Sequence, residues 1–134
     1  MNNNDTDNTV PSVRQGHTQV LYNDHLYVYS GRTNGDRTTR TRAYADDMYK
    51  FNFKSQQWSL VDHKNVPLGR HNHSAIVYND RMYVWGGSGS EGFYDDLLVF
   101  DFVSEMWSTV SITSKCSPQK RHGHSAVLSG DKMV

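Results

Sequence analysis

The chain has 134 residues, with 14 basic and 14 acidic side chains, so its formal net charge is zero. This balance gives no general attraction to nucleic acid or to an anionic membrane, and no apolar run approaches the roughly 18 residues of a membrane span. Cys116 is the single cysteine, which excludes a disulfide within the chain. We therefore expect a cytoplasmic or nuclear protein, with neither nucleic acid nor membrane as a partner.

The N-terminal segment, residues 1–12, is mainly polar and begins Met-Asn-Asn-Asn-Asp. It has neither the basic start nor the apolar stretch of a secretory signal. A segment of such low hydrophobicity cannot bury enough surface to fold, so we predict a disordered tail. Residues 13–134 are predicted to form the folded part.

The folded part repeats one pattern. Each copy opens with an arginine and, three residues later, a histidine, at Arg14 and His17, Arg70 and His73, and Arg121 and His124. The spacing between the first two histidines also separates Gly31 from Gly87. A period of about 50 residues is typical of propeller blades. We place the repeats at residues 13–66, 67–117 and 118–134, the last of them truncated.

Each complete repeat reads as four strands. In the second copy, residues 73–78 and 81–86 are almost continuously apolar, and the turn Asn79-Asp80 joins them into a hairpin; Asn23-Asp24 holds the same place in the first copy. The third run, residues 97–102, alternates between apolar and polar side chains. The fourth run carries Trp58 or Trp107, for which we expect equivalent packing positions.

Four landmarks of the repeat resemble the kelch motif: Arg-x-x-His before the first strand, a glycine pair after the second, Asp-Asp before the third and Trp in the fourth. The resemblance covers residues 13–134. It implies an all-β fold, a kelch-type β-propeller with two complete four-stranded antiparallel blades plus the start of a third. Structural roles are implied for Arg14, His17, Gly31, Asp46, Trp58, Arg70, His73, Gly86, Gly87, Asp95, Trp107, Arg121 and His124.

One residue departs from the motif, since Ser30 stands where the second copy has Gly86. A serine fits this position if its backbone stays in ordinary φ/ψ space. We therefore expect Gly31, and not Ser30, to be the residue that needs a positive φ.

A propeller closes with about four to eight blades, whereas this sequence supplies two complete repeats and the opening of a third. Each repeat buries its apolar face only against its neighbours. We interpret the chain as a piece of a longer kelch protein. The alternative is self-association that completes a ring.

Two groups of residues resemble chemical sites. The pairs His71 with His73 and His122 with His124 place both imidazoles on one side of a strand. Because no carboxylate or thiol lies at ligand spacing, we predict no metal and no cofactor. The carboxylate pairs at residues 46–47 and 95–96 point to opposite faces of a strand. We expect them to accept hydrogen bonds at turns and to pair with Arg70 or Arg121 of a neighbouring repeat.

Catalysis is not expected of this chain. Kelch-like propellers include copper-radical oxidases and iron-dependent specifier proteins of plants. Cys116, however, has no tyrosine close to it in sequence, and the spacing of an iron site like that of the specifier proteins is absent. No phosphate-binding loop or nucleophile elbow is present either. The alternative is a fragment of a kelch-fold enzyme whose metal site lies in missing blades.

The kelch resemblance implies a partner-binding rim, formed by the segment that leads into strand one and by the loop between strands two and three. Small polar side chains on short loops carried by a rigid sheet are typical of recognition surfaces. In this sequence the rim positions are Arg32, Thr33, Asn34, His71, Asn72, Ser88, Gly89, Ser90, Glu91 and His122.

The longer loop of the first copy adds positive charge from Arg32, Arg37, Arg40 and Arg42. Arginine binds carboxylate or phosphate in bidentate fashion, so an acidic or phosphorylated peptide is one expected ligand class. The other interpretation is a solvated insertion loop without a ligand. The function predicted overall is a protein-interaction module, either a scaffold or the substrate-recognition part of a ubiquitin-ligase adaptor. The run Arg-His-x-His-Ser-Ala-Val is similar to kelch adaptors that carry BTB domains.

Overall fold

The computed structural model describes residues 9–35 and 43–134. Most of the tail predicted over residues 1–12 lies outside these ranges, and so do Arg37, Arg40 and Arg42. The described residues form strands and turns and contain no helix. The strands are β1 (Arg14–Gln15), β2 (Thr18–Tyr22), β3 (His25–Tyr29), β4 (Arg32–Thr33), β5 (Ala43–Tyr44), β6 (Met48–Asn52), β7 (Gln57–Leu60), β8 (Ser74–Tyr78), β9 (Arg81–Trp85), β10 (Ser88–Gly89), β11 (Gly92–Phe93), β12 (Leu97–Asp101), β13 (Met106–Thr109), β14 (Leu128–Ser129) and β15 (Lys132–Met133).

Two four-stranded antiparallel sheets form the body of the fold. The first has the strand order β2-β3-β6-β7, and the second has the equivalent order β8-β9-β12-β13. Strands β14 and β15 form a two-stranded antiparallel hairpin in the third repeat. The prediction of kelch-type blades in an all-β fold is confirmed. We call the two complete sheets blade 1 and blade 2.

Short turns close the strand pairs as their side chains require. Asn23, Asn79 and Asp80 have φ values of 50°, 48° and 59° at the two hairpin turns, which only glycine, asparagine and aspartate adopt readily. At the next turn, Asn52 Oδ1 accepts hydrogen bonds from the backbone N–H groups of residues 54 and 55, and Asp101 does the same in blade 2. These turns set the strand register locally.

The core lies between the two blades. Val20, Tyr27 and Tyr29 of blade 1 pack against the aromatic face of blade 2, where the Tyr29 ring lies 4.6 Å from that of Trp107. Tyr27 contacts Phe102, with ring centroids 4.8 Å apart. Aromatic pairs at these separations add to the stability gained by burial. The two faces that the blades turn towards each other thus form a single apolar layer.

The outward face of blade 1 repeats the apolar pattern of blade 2. Phe51 pairs with Trp58 in register, as Phe100 pairs with Trp107. Burial nevertheless differs, because Trp107 is 3% exposed beneath blade 1 whereas Trp58 is half-buried. Leu21 on the same face is 63% exposed. The two tryptophans therefore have equivalent registers but unequal packing.

The segment between the blades also belongs to blade 2. The Lys64 N–H donates to Glu105 O and the Trp107 N–H donates to Lys64 O, each at 3.0 Å, so this segment pairs with the outer strand β13. The Trp107 indole N–H donates to His63 Nδ1 at 2.9 Å. Burial lowers the pKa of His63, which favours the neutral ring that can accept this bond.

Ser30 corrects an expectation drawn from the sequence. Its φ is 60°, close to the 65° of Gly86, so a left-handed backbone is needed at both residues of the glycine pair. The buried Ser30 hydroxyl lies 2.6 Å from Ala45 O and 2.8 Å from Arg70 O, and it accepts the Arg70 N–H at 2.9 Å. These hydrogen bonds offset the backbone strain of a residue with a Cβ.

Replacing Ser30 with alanine should lower the free energy of unfolding by about 1–3 kcal/mol, because the Arg70 N–H loses its buried acceptor while the strained φ remains. Glycine at the same position also lacks the hydroxyl but adopts this φ freely, so its cost should be smaller by about 1 kcal/mol. Urea denaturation of both variants checks the order. A glycine variant no more stable than the alanine variant would contradict the role given to backbone strain.

Replacing Trp107 with alanine should lower the free energy of unfolding by about 3–5 kcal/mol, as expected for a large buried aromatic side chain. The matched change at Trp58 should cost clearly less, because part of that ring is already in contact with solvent. Denaturant titration of the two variants measures the difference. Equal losses would mean that the outward face of blade 1 is covered in solution.

Candidate functional site

Small sheets at one end of the blades form the rim. Strands β1, β4 and β5 pair there in the first repeat, with Gln15 opposite Arg32. In the second repeat, His71 forms a bridge with Ser88, and β10 pairs with β11. The segment leading into strand one and the loop after strand two are therefore joined by backbone hydrogen bonds in both repeats, which gives the rim a rigid base.

Buried arginines hold the rim loops to the blades. Arg70 is 1% exposed and binds both carboxylate oxygens of Asp96, at 2.7 and 3.0 Å, while its Nη1 also donates to Gly86 O. The Arg70 guanidinium lies over the Tyr94 ring, 4.5 Å from the ring centroid. Arg14 makes the corresponding pair with Asp47. Bidentate pairs of this kind are strong and geometrically specific.

These contacts correct the expected pairing of the carboxylates. The arginine and the aspartate belong to the same repeat, not to neighbouring ones, and the second carboxylate of each pair makes the contact. Asp46 and Asp95 are exposed instead. Arg121 is also exposed, and its Nε donates to Gln119 O.

Histidines at the recurring position link one repeat to the next. His73 Nε2 lies 2.8 Å from Thr18 Oγ1 of blade 1, and His124 Nε2 lies 2.8 Å from Ser74 Oγ of blade 2. His17 is exposed. Burial, assisted by the charge of Arg70, lowers the pKa of His73 to about 3. The imidazole is therefore neutral in the folded protein under physiological conditions.

Glycines and one asparagine bring the repeats into close backbone contact. The Asn72 N–H donates to Gly16 O at 2.7 Å, and the Gly123 N–H donates to Asn72 O at 2.9 Å. A Cβ at Gly16 would lie 2.9 Å from the Asn72 backbone nitrogen, and residues with a Cβ rarely adopt its φ of 67°, so glycine is strongly favoured there. The second glycine of each motif pair makes a similar contact with the next repeat. The Gly31 N–H donates to Arg70 O, and the Gly87 N–H donates to Arg121 O.

The most prominent rim feature is a row of four rings, which we call the ring row: Tyr44, His71, His122 and Phe93. Tyr44 lies 5.3 Å from His71, and Phe93 stacks on His122 at 4.9 Å with an interplanar angle of 27°. The two imidazoles are 6.4 Å apart. Both pairs join the loop of one repeat to the start of the next, so they are equivalent contacts at successive blade boundaries.

The residues predicted at the rim differ in how far they reach solvent. His71 is half-buried, and its ring Nδ1 lies 2.8 Å from Ser88 O. Ser88 itself is 8% exposed and belongs to the framework. Arg32, Thr33, Asn72 and Gly89 are half-buried, whereas Asn34, Ser90, Glu91 and His122 are exposed.

Two ring-row residues, Tyr44 and Phe93, were absent from the rim predicted from the sequence. Phe93 is 53% exposed although the loop around it is polar. The signal that could have found them is their equivalent position, since each stands two residues before the corresponding Asp-Asp pair. Both rings stand in mostly polar loops, so the polar character of the loops does not reveal this recurring aromatic position.

Two further observations concern the described residues alone. They contain no group of three or more His, Cys, Asp or Glu side chains placed to hold a metal ion. None of their elements is a helix long and apolar enough to cross a membrane.

The fold and the rim define a class of protein, the β-propeller built from four-stranded blades with arginine-anchored loops. The KLHDC2/KLHL20/DRC7 Kelch-repeats domain matches residues 1–134, so the chain belongs to the kelch-repeat family. Kelch repeats are commonly protein-interaction modules, and they are usually non-catalytic.

The proteins to which this chain is similar are much longer than it is. This chain is 36% identical to the Leucine-zipper-like transcriptional regulator 1 homolog of Drosophila melanogaster, in an alignment that covers 58% of this chain. It is 33% identical to Host cell factor 2 of Homo sapiens, in an alignment that covers 61% of this chain. It is 29% identical to Kelch domain-containing protein 3 of Homo sapiens over 92%. The aligned region spans 8%, 10% and 31% of these three relatives, respectively.

The buried His73 should make stability depend on pH. Its pKa is about 3 in the folded protein against 6.5 for an unperturbed imidazole, so only the unfolded chain gains this proton as the pH falls below about 6.5. The contribution of His73 to the free energy of unfolding is therefore fully present above pH 6.5. It is lost as the pH falls, by up to about 1.4 kcal/mol for each pH unit.

Urea titrations at several pH values measure this slope in the unchanged protein and in the His73→Gln variant. The variant should be less stable at neutral pH but should lose less stability on acidification. The comparison of slopes does not depend on the absolute stability of either protein. Identical slopes would show that His73 is not the group that remains neutral in the folded state.

Proposed function

We propose that this chain is a non-catalytic protein-interaction module that holds its partner at the ring row. The observation that carries the proposal is the exposed Phe93, stacked on His122 beside polar residues whose backbone is anchored. Exposed aromatic side chains on otherwise polar surfaces are enriched at protein interfaces. Family membership supports the same function, since kelch repeats commonly mediate protein interactions.

The rim has the properties of a preorganised binding surface. Its loops are hydrogen-bonded to the segments beside them, and its arginine anchors are buried. Fewer side chains and loops must then become ordered on binding, which lowers the entropic cost. The mixture of aromatic, serine, glycine and asparagine residues resembles the composition of antibody binding loops, in which rigid rings supply contact area and small polar groups supply hydrogen bonds.

The finer function that we propose is a scaffold or the substrate-recognition part of a ubiquitin-ligase adaptor. The similarity of Arg121-His-Gly-His-Ser-Ala-Val127 to kelch adaptors with BTB domains supports it. We further propose that the partner segment is acidic, because Arg32 adds positive charge to the rim and makes no ion pair with another residue that the structure describes. Sequencing the full-length reading frame tests the adaptor function, since a BTB or similar domain is required for it.

Replacing Phe93 with alanine should reduce partner capture from a cell extract at least tenfold, a loss of about 1.4 kcal/mol in binding free energy. The ring is 53% exposed, so the melting temperature should change little. Immobilised protein followed by quantitative mass spectrometry of the retained proteins measures the effect. The informative signal is a protein that the unchanged chain retains and the variant loses.

The matched control is Val103→Ala. Val103 is 79% exposed, but it lies in the turn between β12 and β13 at the opposite end of blade 2. This variant should retain the same proteins as the unchanged chain. If Val103→Ala loses the partner and Phe93→Ala keeps it, the binding surface lies at the turns of the opposite rim and the proposed site is wrong.

A further inference from the structure

Asn34 is followed by Gly35, and this is the single Asn-Gly pair in the sequence. Both residues are exposed and follow directly after β4, which ends at Thr33. Gly35 has a φ of 59°. The pair therefore lies at the rim, beyond the last hydrogen-bonded residue of a two-residue strand.

Neither Asn34 nor Gly35 makes a hydrogen bond with any residue in the described ranges. The other described asparagines are held by hydrogen bonds or tight turns, or are followed by a residue bulkier than glycine. Asn52 Oδ1 accepts two backbone N–H groups, and Asn23 and Asn79 occupy tight hairpin turns. Asn65 is exposed like Asn34, but the β-branched Val66 follows it.

We infer that Asn34 is a site of spontaneous deamidation that changes the charge of the rim. The Gly35 backbone nitrogen attacks the side-chain carbonyl carbon of Asn34, so that an N–C bond forms and the bond to the side-chain nitrogen breaks. That nitrogen leaves as ammonia with the proton of the Gly35 N–H. Water then opens the resulting five-membered imide at either carbonyl and gives aspartate or isoaspartate.

The local structure favours this reaction for two reasons. The Gly35 N–H makes no hydrogen bond to any residue in the ranges 9–35 and 43–134, and glycine has no Cβ to hinder the approach of its nitrogen to the side chain. The isoaspartate product adds one methylene group to the backbone. Because the change falls after the last residue of β4, it leaves the paired residues Arg32 and Thr33 in register.

The modification adds one negative charge two residues from Arg32. That charge opposes the attraction of an acidic partner, so deamidation weakens binding over the lifetime of the protein. This consequence rests on the proposed function, whereas the chemistry at Asn34 does not. A mass spectrum of the isolated protein therefore tests the site independently of any partner.

The test is incubation of the purified protein at neutral pH and physiological temperature, followed by peptide mapping with fragmentation that separates aspartate from isoaspartate. Asn34 should convert at least about tenfold faster than Asn65, and both products should form. Gly35→Ala should slow the conversion towards the rate at Asn65. A rate at Asn34 no greater than that at Asn65, or aspartate formed without isoaspartate, would overturn the inference.

The effect on binding is measured with one charged and one neutral variant, Asn34→Asp and Asn34→Gln, in the capture assay. The aspartate variant should capture less partner than the glutamine variant, and the difference should shrink at high salt because exposed charges are screened. Equal capture by the two variants would overturn the effect of the charge on binding, while the conversion rates decide separately whether Asn34 is the site.

Discussion

The structure depends on the buried residue Arg70, which joins both blades and the rim. Its side chain binds Asp96, donates to Gly86 O and lies over Tyr94, while its carbonyl accepts the N–H of Gly31 from blade 1. A buried charge that loses its partner is strongly destabilising. The loop that carries Asp96 must therefore stay against blade 2, and the positions of the rim residues on this loop follow from the need to neutralise the Arg70 cation.

The same anchor supports different surfaces in successive repeats. Arg14 and Arg70 each bind a carboxylate of their own repeat, yet the residue that follows the arginine is Gln15 in one case and His71 in the other. The ring pairs vary in the same way, with Tyr44 at one boundary and Phe93 at the next. The residues that stabilise the blade are thus adjacent to the residues that form the rim surface. The rim residues can therefore change to suit another partner while the anchoring residues of the blade stay the same.

Repetition made the blades predictable, because the turn at Asn79-Asp80 and the pairing of Phe100 with Trp107 depend on local patterns. Features that depend on contacts distant in sequence were missed. The left-handed backbone of Ser30 is tolerated only because Arg70 and Ala45 supply hydrogen-bond partners. The loop conformation decides which carboxylate of each Asp-Asp pair faces the arginine, and the sequence pattern does not specify that conformation.

The pairing of Lys64 with β13 limits how the protein can change in length. An added residue in this segment would shift Lys64 away from Glu105 and Trp107 and leave the Trp107 indole without its acceptor, His63. The rim loop already differs in length between the two complete repeats, with residues 32–45 in the first and 88–94 in the second. Insertions and deletions are therefore expected to accumulate in the rim loops, while the segment joining the blades keeps its length. New binding specificities could then evolve through loop length alone, at a constant distance between blades.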